Sequence, residues 1–429
     1  MRKKGFLPFL IILMMIMVYL SFVSTEVFSE KQFTATHLTE KQLTATQWIE
    51  DIDYLNENLP KFHRNLFHDL KEEDFNKEIQ NLKNNLSELN DDEITIRLAQ
   101  IIAMVGDAHT SLHLDFIQNT YPIRLEWFED DLRVIGTTIL NQNLLGKKLV
   151  SINGFPVSVI LEKIKSFISY ENDQWLKVNN VEYIVMPEIL KFLNYINQDT
   201  AEFIFNDDNG NIIKQTLIPQ VLNKNYIIPI KNTLAIKPIS LQQFNGENPF
   251  NNRYYWSTYV EDDKLIYFQY NKCIDYNFDD FSNGLIEQIR QNDTEKLIID
   301  LRNNTGGNSS LMRELAIKLG KIDKIKGKIF VITGKKTFSS GLLAVMDLKK
   351  ITEAMVYGEP TGSNVNHYGD IQQLILPHSK LQIIYSTKYF HISDEYKDSF
   401  IPDVTIVQSF EHYMEGIDDA YEAIRKIKY

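Results

Sequence analysis

With 429 residues, 44% of them hydrophobic and 24% charged, the chain has ordinary globular composition and length enough for two or three domains, which excludes wholesale disorder. Its formal net charge of −12, with no basic tail or arginine-rich helix to offset it, argues against a nucleic-acid partner. The single cysteine, Cys273, forms no intramolecular disulfide, has no second thiol with which to build a zinc site, and reads as a packed thiol.

At the N-terminus, Arg2, Lys3 and Lys4 precede the uncharged, mostly apolar run Phe6 to Val23, so residues 1–29 have the form of a signal peptide or an N-terminal membrane anchor. The expectation is an exported protein, secreted or held on the outer face of the cell membrane, and no cysteine follows the run to carry a lipid. Residues 30–47 read as a polar stalk holding a small tandem repeat, EKQFTATHLT then EKQLTAT. Residues 48–108 form a small helical domain. Its segments WIEDIDYLNENL, EDFNKEIQNLKNNLSEL and DDEITIRLAQIIAMV place apolar residues three or four apart, and Asn90 to Asp92 cap the last. Gly106 stops that helix in GDAHTSLHL, leaving His109 at a domain junction, where clefts form. His109 and His113 are four apart, but neither a third ligand nor the glutamate of a zincin motif is near, so no metal and no other cofactor is expected.

Residues 109–225 read as a mixed insert. PIRLEWFEDDLRVI and LLGKKLVSINGFPV alternate as strands, VSVILEKIKSFI is helical, and AEFIFNDDNGNIIKQTLI is a hairpin turning at Asn209-Gly210. Residues 226–429 form an α/β domain in which the strands KLIIDLRNN, KIFVITG, EAMVYGEP and LQIIYSTKYF alternate with helices.

The stretch KLIIDLRNNTGGNSS (296–310) is a short apolar strand that enters a polar glycine turn and then a helix, SSLMRELAIKLG, with Ser309 or Ser310 as N-cap and Gly320 at its stop. Unpaired N–H groups at such a turn can receive a developing oxyanion, and Gly306 and Gly307 admit a carbonyl where a Cβ would stand. Alone, the turn is equally well a tight βα connection. Two other segments add to it: KTFSSG (336–341) follows a second apolar strand, and GDAHT (106–110) supplies an isolated histidine. A serine at a strand-to-helix turn, a distant histidine and a glycine oxyanion turn are the parts of a serine hydrolase.

Together, GDAHT, DLRNNTGG, TFSSG and GEPTG (358–362), with LPHSKLQIIYSTKYF (376–390) and IPDVTI (401–406), resemble the C-terminal processing protease family of serine peptidases, which includes the tricorn protease core and the interphotoreceptor retinoid-binding proteins. The resemblance covers roughly residues 48–410. It implies an α/β fold with a crotonase-like (ClpP-like) catalytic domain, here residues 226–429, beside an N-terminal helical bundle, and a PDZ-like insert marked by LLGKKLVSINGFPV. It also implies peptide or protein substrates. The family's nucleophile precedes the GEP glycine by nineteen residues, which falls on Ser339, and Ser340 would then give its N–H to the oxyanion hole alongside Gly306 or Gly307. The family's dyad lysine falls on Asn364, whose amide cannot take a proton, so the resemblance assigns the base to His109, as in the tricorn-like branch. That branch has an acid before its PDV segment, for which Glu395 is the nearest match and Asp394 the next. His367 and Tyr368, just after the GEP loop, are candidates to line the substrate cleft beside Asn364. The retinoid-binding relatives leave open a second reading, a non-catalytic protein that binds peptides or hydrophobic ligands on the same fold.

Overall fold

The computed structural model describes residues 43–112, 114, 119–221, 228–229, 254–396 and 398–429. The apolar N-terminal run, stalk residues 30–42 and His113 lie outside the described residues. No helix among the described residues is long and apolar enough to cross a membrane.

Three helices open the described chain: α1 (Ala45–Phe62), α2 (Glu72–Asn85) and α3 (Asp91–Ala103). α1 begins within the segment read as stalk, because Thr44 and Gln47 form a reciprocal capping box there. Asn90 and Glu93 do the same for α3, and Gly106, at φ +73°, ends it. The following elements are β1 (Ser111–Leu112), β2 (Asn119–Thr120), β3 (Ile123–Phe128), β4 (Asp131–Thr137), β5 (Lys148–Ile152), β6 (Phe155–Pro156), α4 (Val157–Ile164), α5 (Asp173–Tyr183), α6 (Pro187–Phe192), β7 (Ala201–Asn206), β8 (Ile212–Leu217), β9 (Gln220–Val221) and β10 (Ile228–Pro229). Seven of these strands form an antiparallel sheet in the order β10-β4-β5-β7-β8, with β3 on β4 and β6 on β5. The hairpin β7–β8 turns at Asn209-Gly210 as its sequence requires, Gly210 taking φ +80°.

The C-terminal half is built from β11 (Tyr255–Val260), β12 (Leu265–Tyr270), α7 (Phe278–Gln291), β13 (Lys296–Asp300), α8 (Ser310–Leu319), β14 (Ile329–Thr333), α9 (Ser340–Thr352), β15 (Met355–Gly358), β16 (His367–Ile375), β17 (Gln382–Phe390), β18 (Val404–Thr405), α10 (Phe410–Glu415) and α11 (Asp419–Arg425). Six strands form a sheet in the order β11-β12-β13-β14-β15-β18, parallel from β12 onward. β13 and β14 are buried at every position, as expected of central strands covered on both faces. One face packs Phe281, Leu285, Leu315 and Leu348 of α7, α8 and α9; the other packs Tyr421 and Ile424 of α11 against Trp256, Tyr267 and Phe330.

The strand LQIIYSTKYF (β17) leaves this sheet. It joins β16 and β1 in a separate antiparallel sheet, β1-β17-β16, and its residues Ile383 and Tyr385 belong to the same core as α1 to α3 and the insert. Asp51 on α1, fully buried, fixes the turn of that hairpin by accepting the N–H groups of His378 and Ser379, each at 2.7 Å. The histidine-bearing loop before β1 and the chain after β15 are thereby tied into one sheet.

Candidate active site

Ser339 lies between β14 and α9 with φ +53° and ψ −127°, a backbone conformation that a side-chain-bearing residue holds only when its surroundings impose it. Those surroundings are the glycine turn after β13. The Asn304 side chain donates to the Tyr270 carbonyl at 2.8 Å and accepts the Gly306 N–H at 2.9 Å, while its carbonyl accepts the Phe338 N–H at 2.9 Å. The two turns are thus stitched together through Asn304. Gly306, at φ +98°, passes so close that a Cβ there would stand 2.8 Å from Ser339 Cβ and 3.0 Å from Ser340 N. Gly307, at φ +136°, pairs with Cys273 in a short bridge, and a Cβ there would come within 2.2 Å of the Cys273 carbonyl oxygen. Ser340 Oγ closes the arrangement by donating to the Gly307 carbonyl at 2.6 Å.

The N–H groups of these turns differ in what they can offer. That of Gly306 is bonded to Asn304, so Gly306 contributes space and not a donor, in contrast to the expectation that either glycine would serve. The N–H groups of Gly307 and Ser340 make no hydrogen bond among the described residues. The start of α8 also differs from the expected serine cap: Ser309 makes no capping bond, and Asn308 Oδ1 instead accepts from both N and Oγ of Ser310, at 3.0 and 2.9 Å.

His109 is presented by the loop between α3 and β1, whose hub is the fully buried Asp107. The Asp107 carboxylate accepts from the His109 backbone N–H at 2.9 Å, from Thr110 Oγ1, and from His63 Nε2 at 3.0 Å; His63 carries that proton because its Nδ1 accepts the Asn65 N–H. Burial pushes the Asp107 carboxyl upward, but the His63 hydrogen bond and the other donors outweigh it and hold the group at about 2. The His109 ring stacks between Phe338, at 4.4 Å, and His367, at 5.5 Å, and the column continues to Trp175 beyond Phe338 and to Phe390 beyond His367. Neither ring nitrogen of His109 has a hydrogen-bond partner. Burial lowers its pKa to about 4, Asp107 opposing and His367 reinforcing the shift, so the imidazole is neutral at ordinary pH.

A cavity of about 520 Å³ joins these parts, lined by His109, Ser339, Ser340, Gly307 and His367, with Lys272 and Trp175 among its other walls. His367 Nδ1 donates to the Asn364 carbonyl at 2.9 Å, which fixes the ring, and burial lowers its pKa. The next residue, Tyr368, is on the opposite side of β16, as strand alternation dictates, and packs on His63 and His68 away from the cavity. Asn364 is also outside the cavity wall, and its Oδ1 accepts from Asn172 Nδ2 at 2.9 Å. Glu395 is exposed, its backbone N–H bonded to Ser393 Oγ. The carboxylates beside His109 are instead those of Asp107 and Glu171, whose oxygens lie within 4.8 Å of an imidazole nitrogen and of each other. Glu171 precedes α5 and accepts the Asn364 backbone N–H at 3.4 Å, so the insert delivers an acid beside Asn364. Burial, and then the charge of Asp107, raise the Glu171 pKa to about 8.

No protein-family model and no curated protein sequence matches the chain. Among solved structures, its fold is similar to that of mature CPAF, with a TM-score of 0.61 and 12% identity over 89% of this chain and 96% of that one. The likeness to mature CPAF complexed with lactacystin has a TM-score of 0.60 and 12% identity, over 89% and 97%. The photosystem II D1 C-terminal processing protease overlaps less well, with a TM-score of 0.40 and 12% identity over 88% and 99%. At such identity the two CPAF structures establish a shared mixed α/β fold.

Proposed function

We propose that the chain is a serine peptidase of the C-terminal processing protease type. The observation that carries this reading is Ser339 held at φ +53°, in one cavity with a neutral histidine lacking any hydrogen-bond partner and with two unbonded N–H groups. Strain of this kind persists where the surroundings impose it and clusters at functional sites.

In the proposed reaction, Ser339 Oγ attacks the peptide carbonyl carbon and His109 takes the hydroxyl proton. The carbonyl oxygen becomes an oxyanion received by the N–H groups of Gly307 and Ser340. The C–N bond then breaks as His109 returns the proton to the leaving amine. A water deprotonated by His109 cleaves the Ser339 ester, releasing the acid product and restoring the serine. His367 and the other rings of the column keep the His109 plane fixed. The crotonase-like reading of the six-stranded sheet and the PDZ-like reading of the insert belong to the same proposal, supported by the sequence segments that carry the resemblance.

The direct test is labelling with a fluorophosphonate. Wild-type protein is expected to be labelled at Ser339 and Ser339→Ala to remain unlabelled; equal labelling of the two would place the nucleophile elsewhere. Export is part of the same reading, supported by the basic residues and apolar run at the N-terminus. An alkaline phosphatase domain fused after residue 50 should be active, and inactivity in that fusion with activity of a cytoplasmic reporter would refute it.

Glu171 acts in this scheme as a positioning residue through His109. With its pKa raised to about 8, it is neutral at pH 7, and its ionisation at higher pH sets a negative charge beside the imidazole that favours the imidazolium of the transition state. The expected result is a rise in kcat as pH passes through about 8, absent in Glu171→Gln. The sign for stability is opposite: a carboxyl whose folded pKa is raised makes the folded state less stable as pH climbs from about 4.5 to about 8, so Glu171→Gln should melt higher than wild type at pH 8. An unchanged kcat profile in Glu171→Gln would detach Glu171 from the histidine.

A further inference from the structure

The reaction as proposed leaves one charge in the cavity unused. Lys272 follows β12 and precedes Cys273, whose bridge to Gly307 sets the lysine at the cavity wall beside the glycine turn. Its Nζ donates to Thr305 Oγ1 at 2.6 Å, which occupies one of three N–H groups. Among the described residues no carboxylate forms an ion pair with it. Burial pushes the amine below the ordinary lysine range, opposed only by Cys273. The acid that shares the cavity wall, Asp370, is engaged elsewhere, its carboxylate paired with Lys388 at 2.7 Å and accepting from Thr387 Oγ1 at 3.4 Å. The wall mixes apolar side chains, Phe167, Ile168, Leu343 and Ile371 among them, with polar ones such as Ser111 and Asn179. A half-buried ammonium with two donors unused and no counter-ion among the described residues therefore faces the same space as Ser339 and the unbonded N–H of Gly307.

We infer that Lys272 binds a carboxylate of the peptide substrate close to the scissile bond, so that the site selects substrates carrying an acidic group at a fixed distance from the point of cleavage. This rests on the peptidase reading above. The physical basis is a charge-assisted hydrogen bond made in a cavity where the lysine is half-buried; a neutral amide in place of the carboxylate leaves the ammonium without a counter-charge. An aspartate or glutamate side chain and a free chain end offer the same chemistry, and the experiment separates them.

Two sets of internally quenched decapeptides are assayed with the full chain. In the first, the C-terminus is amidated and one glutamate, or a glutamine in its place, is walked through the sequence; in the second, a sequence without acidic residues ends in a free acid or an amide. One placement of the carboxylate is expected to raise kcat/KM by about tenfold or more over its neutral counterpart. Lys272→Met should bring that ratio close to one, and Lys272→Arg should keep most of it. A response in the first set assigns the side chain, and a response only in the second assigns the chain end. The inference is overturned if no placement is favoured, if the ratio is the same in Lys272→Met, or if Lys272→Met slows every peptide alike, which would make the lysine a part of serine activation. The same peptides, dye-labelled, are also titrated into Ser339→Ala and into Ser339→Ala with Lys272→Met, and binding is read by fluorescence anisotropy. A carboxylate preference that the second substitution removes supports Lys272 independently of turnover. If that preference is present and wild type shows neither fluorophosphonate labelling nor cleavage, the peptidase reading fails and the carboxylate site stands.

Discussion

His109→Ala is expected to lower kcat/KM on an unstructured protein substrate such as casein by roughly a hundredfold to ten-thousandfold, the range for loss of a positioned general base. The pH profile gives the sharper test. A base must be neutral to accept the serine proton, and burial holds His109 at about 4, so wild-type activity should hold down to about pH 5 and disappear as pH falls through 4. An unshifted histidine would instead lose activity around 6.5. Full activity in His109→Ala would assign the base to another group. A limb centred near 6.5 in wild type would mean that the ring is far better solvated than its stacking between Phe338 and His367 implies.

Gly306→Ala should reduce kcat by about a hundredfold or more while the protein stays folded. The added methyl would stand 2.8 Å from Ser339 Cβ and 3.0 Å from Ser340 N, at a φ of +98° that alanine resists, so relief must come by displacing the serine or the donor beside it. Circular dichroism and the melting temperature establish folding, and single-turnover kinetics separate the chemical step from binding. A Gly306→Ala protein with wild-type kcat would show that the serine turn is not tied to the glycine turn. Gly307 is a poorer position for this test, because its added Cβ would meet the Cys273 carbonyl oxygen at 2.2 Å and break the bridge that holds the whole loop.

How far the sequence discloses this site depends on whether the partners of a residue are near it in the chain. Ser339, Gly307 and His109, which line one cavity, were legible in that each stands in a short segment that the sequence marks, while the choice of Ser339 over Ser340 and of His109 as base came from the family resemblance. Glu171 was not, since it lies in the polar stretch SYENDQW, which reads as a solvated loop, and its partners Asn364 and the 107–109 loop are remote in sequence. Lys272 was hidden in the same way, one cation after a strand with nothing nearby to mark it. The acid expected from motif order, Glu395, is exposed, and motif order could not report that. Two other misplacements were avoidable. Tyr368 follows His367 within one strand and so had to face the other way. β17 carries the polar run Ser386-Thr387-Lys388, unlike β13 and β14, which are buried at every position, so it is a poor fit for a central strand covered on both faces.

The strand that leads into the glycine turn ends in a buried cluster with a consequence for how the protein comes into being. Asp300 accepts from Tyr267 and from Arg302, and the Arg302 guanidinium reaches Asp418, the cap of α11, at 2.7 Å. Until Asp418 has docked, the guanidinium is paired with Asp300 alone, and the end that meets Asp418 has no carboxylate in a place that water enters poorly. A nascent chain can thus contain its serine, its histidine and its glycine turn and still lack a settled floor beneath them. Under the peptidase reading proposed above, ripening of the cutting edge is thereby tied to the seating of α11.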